Sequence, residues 1–387
     1  MAAATTSRLA GLRLVNPHRE AGGWRYDAVT AGVAAALPSA SSPLEVSLAG
    51  AGRLWTLSRW LEQTHATALL VVDRGRLVHE WYAADVEPTD LLLGASMTKS
   101  VLAHLVGVAV RAGALTTDDL VTSHVPALAG SGYARCTVEH LLTMTSGVAW
   151  VEDHRDPASP ASRLLGRFVT GSGGSRELLR SVAPRHEPGT RFEYCTADSQ
   201  VLDWVREAAT GSTYQQALGE LWRRLGCADD AVVATDGATD GTAGTALAGG
   251  GLAATARDWA RLAMLQLDGT AGGPGAGSRL LDEAWVERAS TPARPFLAPG
   301  RLPSSITTHA GFGYHWWPLD EGGRRVTADG SRGQFGYVDR DQGVVVVRTS
   351  RWPYEDWLTD RQHRDLCYLG LPAVAAAAVR GRERGNR

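Results

Sequence analysis

Along this chain the spacing of apolar positions changes several times, and each change predicts an element. ATALLVVDRGRLVHEWYA (66–83) reads as two strands joined by a tight turn at Asp73-Arg74-Gly75. KSVLAHLVGVAVRAGAL, from residue 99, is apolar on most faces and predicts a buried helix. From about 115 to 250 the spacing is mainly helical, in TVEHLLTM, SRELLRSV, DSQVLDWVREAATG and TYQQALGELWRRLG, each with plausible caps or stops. TDGATDGTAGTALAGGG (235–251) reads as a loop, after which TARDWARLAMLQLDG resumes a helix. The last third turns to strands, GFGYHWW, RRVTAD, QFGYVD and GVVVVRTS, closed by a helix from about 356 to 380. Residues 1–50, rich in Ala, Ser, Pro and Gly, show no strong period and read as an irregular N-terminal wrap.

Strands near both ends with helices between them predict an α/β (α+β) protein. One antiparallel sheet would be assembled from 51–114 and 251–387 and flanked by helices, with a mainly helical subdomain (115–250) inserted.

Composition narrows the function classes. A formal net charge of −2 gives no electrostatic reason to expect nucleic acid or an anionic membrane as partner. Cys136, Cys195, Cys227 and Cys367 are scattered without C-x-x-C spacing, which predicts free thiols in a reducing compartment. The N-terminus lacks the apolar core of a secretory signal, and no apolar run is long enough to span a bilayer. The expected location is the cytoplasm. No H-E-x-x-H or comparable cluster supports a metal, no cofactor is expected, and no G-x-S-x-G nucleophile elbow occurs.

The informative stretch is GASMTKS (94–100). It contains the only lysine among 39 basic residues; all the others are arginine. Ser96 and Lys99, three apart where a helix begins, lie on one face. The positive end of the helix dipole disfavours a second cation and stabilises a developing alkoxide. Burial lowers a lysine pKa toward a value useful to a general base. An arginine cannot serve, because its guanidinium keeps its proton. S-x-x-K alone is a common pattern; its coincidence with the sole lysine makes it specific. A Ser–Lys pair needs a second proton carrier and an oxyanion hole. Tyr194 in GTRFEYCTADSQ and the Gly-rich edge ADGSRGQFG are the candidates.

These pieces, in this order over roughly residues 60–350, resemble the serine hydrolases of the penicillin-binding-protein and class C β-lactamase superfamily. Ser96-Met97-Thr98-Lys99 matches the nucleophile motif, and Tyr194-Cys195-Thr196 matches Y-x-N with Thr for Asn. LTTDDLVTSHVPAL and TVEHLLTMTSGV are similar to the family's segment after the nucleophile. EDHRDPAS, FEYCTAD, GGGLAATARDWARL, YHWW, GSRGQ and SRWP are similar, within it, to the nylon-oligomer (6-aminohexanoate-dimer) hydrolases. The resemblance implies a β-lactamase/transpeptidase-like fold and an acyl-enzyme on Ser96, with Lys99 as base. Tyr194 would pass a proton to the leaving group, and the backbone N–H groups of Ser96 and Ser331 would form the oxyanion hole. Thr196, His154, Trp316, Trp317 and Gly330 would contact a small linear amide or ester.

Three departures bear on specificity. Ala328-Asp329-Gly330 stands where β-lactamases have K-T-G, removing the cation that helps hold a β-lactam carboxylate, with Arg332 nearby. His154 takes the place of a substrate-contacting Tyr, and Gly249 that of an Asn, which would leave more space and one donor fewer. Alternative readings are a D-amino-acid peptidase or β-lactamase-like enzyme, and a non-catalytic ligand-binding relative, against which the retained Ser96, Lys99 and Tyr194 weigh. A homodimer through Trp-rich surface is compatible with the sequence.

Overall fold

The computed structural model describes residues 13–15, 23–39, 44–50, 53–170, 174–237, 244–272, 277–292, 309–353 and 361–385. In chain order the strands are β1 (Leu14–Val15), β2 (Arg25–Val29), β3 (Ser47–Gly50), β4 (Arg53–Thr56), β5 (Ala66–Asp73), β6 (Arg76–Tyr82), β7 (Leu91–Leu93), β8 (Ala231–Thr235), β9 (Leu252–Ala254), β10 (Trp317–Pro318), β11 (Arg325–Gly330), β12 (Gln334–Asp339) and β13 (Val344–Ser350). The α-helices are α1 (Leu57–Gln63), α2 (Met97–Arg111), α3 (Val121–His124), α4 (Val138–Leu142), α5 (Pro160–Thr170), α6 (Ser175–Arg180), α7 (Thr196–Thr210), α8 (Tyr214–Leu225), α9 (Ala256–Asp268), α10 (Glu283–Ser290) and α11 (Arg361–Gly385).

The main sheet is six-stranded and antiparallel, in the order β10-β11-β12-β13-β5-β6, so distant ends of the chain meet where β13 pairs with β5. The β5–β6 turn forms where expected, with Arg74 and Gly75 both at positive φ, as a tight hairpin requires. β5 and β13 are buried at every position because both faces of the sheet are covered. Ala68, Leu70, Val72, Val345 and Val347 pack with Met97 of α2 and Ala263 of α9. The alternate residues Leu69, Val71, Val344 and Val346 pack with Trp60 of α1 and with Leu371 and Val374 of α11.

The helices between follow their caps. Thr137 and Thr213 form capping boxes with His140 and Gln216, and Thr255 caps α9. Gly211, Gly226 and Gly269 end α7, α8 and α9 in the left-handed conformation. No helix among the described residues is long and apolar enough to cross a membrane.

The structure departs from expectation in three places, and one expected range is only partly described. A second sheet, β1-β7-β9-β8-β2, was not legible. Its strands β7, β8 and β9 are the runs LLL, AVVAT and LAA, too short to have a readable period, and they pair only with distant partners. The N-terminal stretch read as irregular contributes β1, β2 and β3. GFGYHWW is irregular over most of its length, and only Trp317 enters a strand; His315 takes a positive φ of 57°, which ends extended structure there. The last helix runs from Arg361 to Gly385, and its expected first turns fall outside the described residues.

Candidate active site

Ser96 and Lys99 meet at the start of α2. Ala95, just before Ser96, is held at φ 46°, a left-handed conformation costly for a residue with a Cβ. That sharp turn leaves Ser96 half-buried at the N-cap while Met97 to Lys99 turn inward. The Lys99 ammonium donates to Ser96 Oγ at 3.0 Å and to the Gly249 carbonyl at 2.6 Å. Lys99 is 2% exposed, and burial brings its pKa from 10.5 to about 8, against smaller opposing effects of Glu152 and Cys195.

Tyr194 approaches from the loop entering α7. Lys99 Nζ sits 5.1 Å from the centre of its ring, and the Ser96 hydroxyl lies within hydrogen-bonding reach of its phenol. Burial pushes the phenol well above its ordinary pKa, with the Glu152 and Asp329 charges adding to the rise and the Ser96 hydrogen bond opposing it. Tyr194 therefore stays protonated at neutral pH. The three residues of the expected constellation are brought together.

The end of β11 lies beside this cluster. A Cβ on Gly330 would come within 2.2 Å of the Gly94 carbonyl, so only glycine lets the strand approach the turn before Ser96. Gly330 thus serves close backbone packing, and the following residue, Ser331, stands at the β11–β12 turn. Arg332, at φ 63°, donates from Nε to the Trp352 carbonyl at 3.1 Å.

The remaining expected contacts fare differently. Trp317 stacks on Tyr194, with centroids 5.9 Å apart and planes 15° apart. Trp316 does not border a channel: it is 1% exposed and lines an interior cavity with Met97, Val101, His104 and Trp259, because neighbouring positions point in opposite directions. Thr196 donates its hydroxyl to Glu152 Oε1, and its backbone N–H donates to Oε2 at 3.0 Å, so the hydroxyl is engaged within the protein. His154 is exposed at the rim with Nε2 3.2 Å from Glu152 Oε1. Gly249 does not open space, for a Cβ there would meet Thr196 Cγ2 at 2.9 Å and Lys99 Nζ at 3.5 Å.

Sequence reasoning missed the residues that hold this set in place. Glu152 collects the Trp150 indole at 2.5 Å, Thr196 and His154. Burial alone would raise its pKa, but the His154 hydrogen bond, the Lys99 charge and the Thr196 N–H bring it down to about 2. Its signal was the acid opening EDHRDPAS. Gln200 accepts from the Gly249 N–H at 3.0 Å and donates to the Ala246 carbonyl at 2.9 Å, fixing the carbonyl that Lys99 uses. His315 takes Leu142 O at 3.0 Å through Nδ1, which leaves Nε2 to accept from Ser199 at 3.0 Å. No local pattern marks these two.

This fold and this Ser–Lys–Tyr cluster define a serine hydrolase. The β-lactamase family model matches residues 57–367, and the chain belongs to that family. The 6-aminohexanoate-dimer hydrolase of Paenarthrobacter ureafaciens is 31% identical over 312 residues, covering 79% of this chain and 78% of its own. A solved structure from Bacillus anthracis, proposed to be a 6-aminohexanoate-dimer hydrolase, superposes with a TM-score of 0.78 at 21% identity. That superposition covers 94% of this chain and 92% of the other. A penicillin-binding-protein homologue from Caulobacter crescentus gives 0.61 at 17% identity, over 83% and 96% of the two chains. At such identities the last two speak for the fold.

Proposed function

We propose that this hydrolase cleaves small linear amides or esters through an acyl-enzyme on Ser96, as a cytoplasmic enzyme. The observation that carries this reading is a buried Lys99, at about pKa 8, 3.0 Å from the Ser96 hydroxyl. Lys99 in its neutral form takes the Ser96 proton as Oγ bonds to the substrate carbonyl carbon. The Ser96 and Ser331 N–H groups receive the oxyanion. Tyr194 gives its proton to the departing amine or alkoxide as the carbon–heteroatom bond breaks, and Lys99 returns a proton to Tyr194. Water, deprotonated by the same pair, then releases the acid and restores Ser96.

Relatives named for an amide substrate support the amide half of this reading. The absence of a cation at Ala328 favours uncharged acyl groups over β-lactams. All four cysteines are buried and none is in a disulfide, which accords with a reducing compartment. Incubation with p-nitrophenyl butyrate should give turnover and, in intact-mass spectra, a butyryl adduct that maps to Ser96 and vanishes in Ser96→Ala. No turnover together with no adduct on the wild-type chain would overturn the proposal. Nitrocefin and a linear oligoamide in the same assay divide the substrate classes.

A further inference from the structure

Behind Tyr194 stands a column of side chains that the proposed chemistry leaves without a task. Asp329 occupies the position beside the missing K-T-G cation. Its side chain faces away from the substrate side of β11: neighbouring Ala328 packs toward α2, whereas Phe335, its cross-strand partner, packs toward α11. With its side chain only 2% exposed, Asp329 is too buried to touch a substrate.

Asp329 Oδ2 accepts from the Tyr368 hydroxyl of α11 and lies 3.2 Å from His309 Nε2. The Tyr368 oxygen is also 2.5 Å from His309 Nε2. Because the phenol proton goes to the carboxylate, Nε2 carries the hydrogen that reaches both oxygens. The imidazole is thereby fixed in plane and tilt. Its ring stacks on Trp317, with centroids 4.4 Å apart and planes 29° apart, and Trp317 in turn stacks on Tyr194. Phe312 closes the side of Trp317 edge-on at 4.6 Å. The phenol of Tyr194 interacts with the Ser96 hydroxyl, while its ring lies flat against the face of Trp317.

We infer that Asp329 and His309 are positioning residues that fix, through Trp317, the ring of Tyr194 in line for proton delivery to the leaving group. This rests on the proton-carrier reading of Tyr194. The acid at 329 then has a task of its own, unrelated to holding a substrate carboxylate.

The test compares two esters of one acyl group. p-Nitrophenolate leaves without a proton, whereas the ethoxide of ethyl butyrate needs one, so a defect in proton delivery grows with the second. Tyr194→Phe and Asp329→Ala should each lower kcat/KM on ethyl butyrate about 10-fold or more and on p-nitrophenyl butyrate less than about 3-fold, in line with the usual scale of general-acid loss. Adding Asp329→Ala to Tyr194→Phe should cost no more than about 2-fold further, since residues acting through one group are not additive. Equal losses on both esters, or full additivity, would show a merely structural cluster and overturn the inference. Wild-type rates for Tyr194→Phe would instead remove the proton-carrier reading, a different result. If Asp329→Ala melts below the assay temperature, His309→Ala makes the same test from the other side of the pair.

Discussion

In the proposed mechanism Lys99 is the residue on which the chemistry turns. Its neutral form is the base in that mechanism, so the acylation rate should rise with pH and level off above about 8. The Glu152 charge raises the Lys99 pKa, so Glu152→Gln should lower it and move the rising limb to lower pH, measured with pre-steady-state p-nitrophenol bursts. An unmoved limb would show that Glu152 acts only through its hydrogen bonds. Lys99→Arg, which keeps a charge but cannot release it, should fold and lose at least about 10²-fold in acylation rate. Acylation at the wild-type rate in that variant would remove Lys99 as the base.

At the scale of elements, Lys99 is set by three pieces that arrive separately: the first turn of α2, the start of α7 and the glycine run before β9. Gln200 on α7 ties the run at Ala246 and Gly249, and Thr98 Oγ1 on α2 accepts from the Leu252 N–H at 3.2 Å. The space between them is closed, as the 2.9 Å approach of a Cβ at 249 to Thr196 shows. Gly249→Ala should push the run away from Lys99 and lower acylation about 10-fold or more, because misplacements near 1 Å cost up to 10²-fold. Folding should persist, which circular dichroism checks; unchanged burst rates would mean that the run yields without moving the carbonyl.

For the whole molecule, the site sits where the edge of the six-stranded sheet meets the helices, so its geometry depends on how the sheet is clamped. On the far side α11 lies against α1: Trp60 donates its indole N–H to the Leu366 carbonyl at 2.8 Å, and Gly370 faces the same ring. A Cβ at 370 would come within 2.3 Å of Trp60. Gly370→Leu should therefore destabilise the chain by about 1–3 kcal/mol, the usual range for overpacking, and lower the thermal midpoint. Because α11 also carries Tyr368, the partner of Asp329, this change should reach the active site as a lower acylation rate.

Much of this was determined by sequence alone, and the reason is locality. The hairpin at Arg74-Gly75, the threonine-capped helices with their glycine stops, and the Ser96–Lys99 pair are set by residues within a few positions of one another. The sole lysine could be assigned a task because a base must be able to lose its proton, which is a property of the residue type. The rest was decided by tertiary structure. The second sheet joins runs of two to five residues with no readable period. Trp316 and Trp317 are adjacent in sequence but part company, one into the core and the other onto Tyr194, by a backbone direction that only packing sets. Glu152, Gln200 and Asp329 owe their positions to partners tens of residues away, and burial among those partners puts Glu152 and Gln200 around Lys99 and Asp329 behind the rings that back Tyr194.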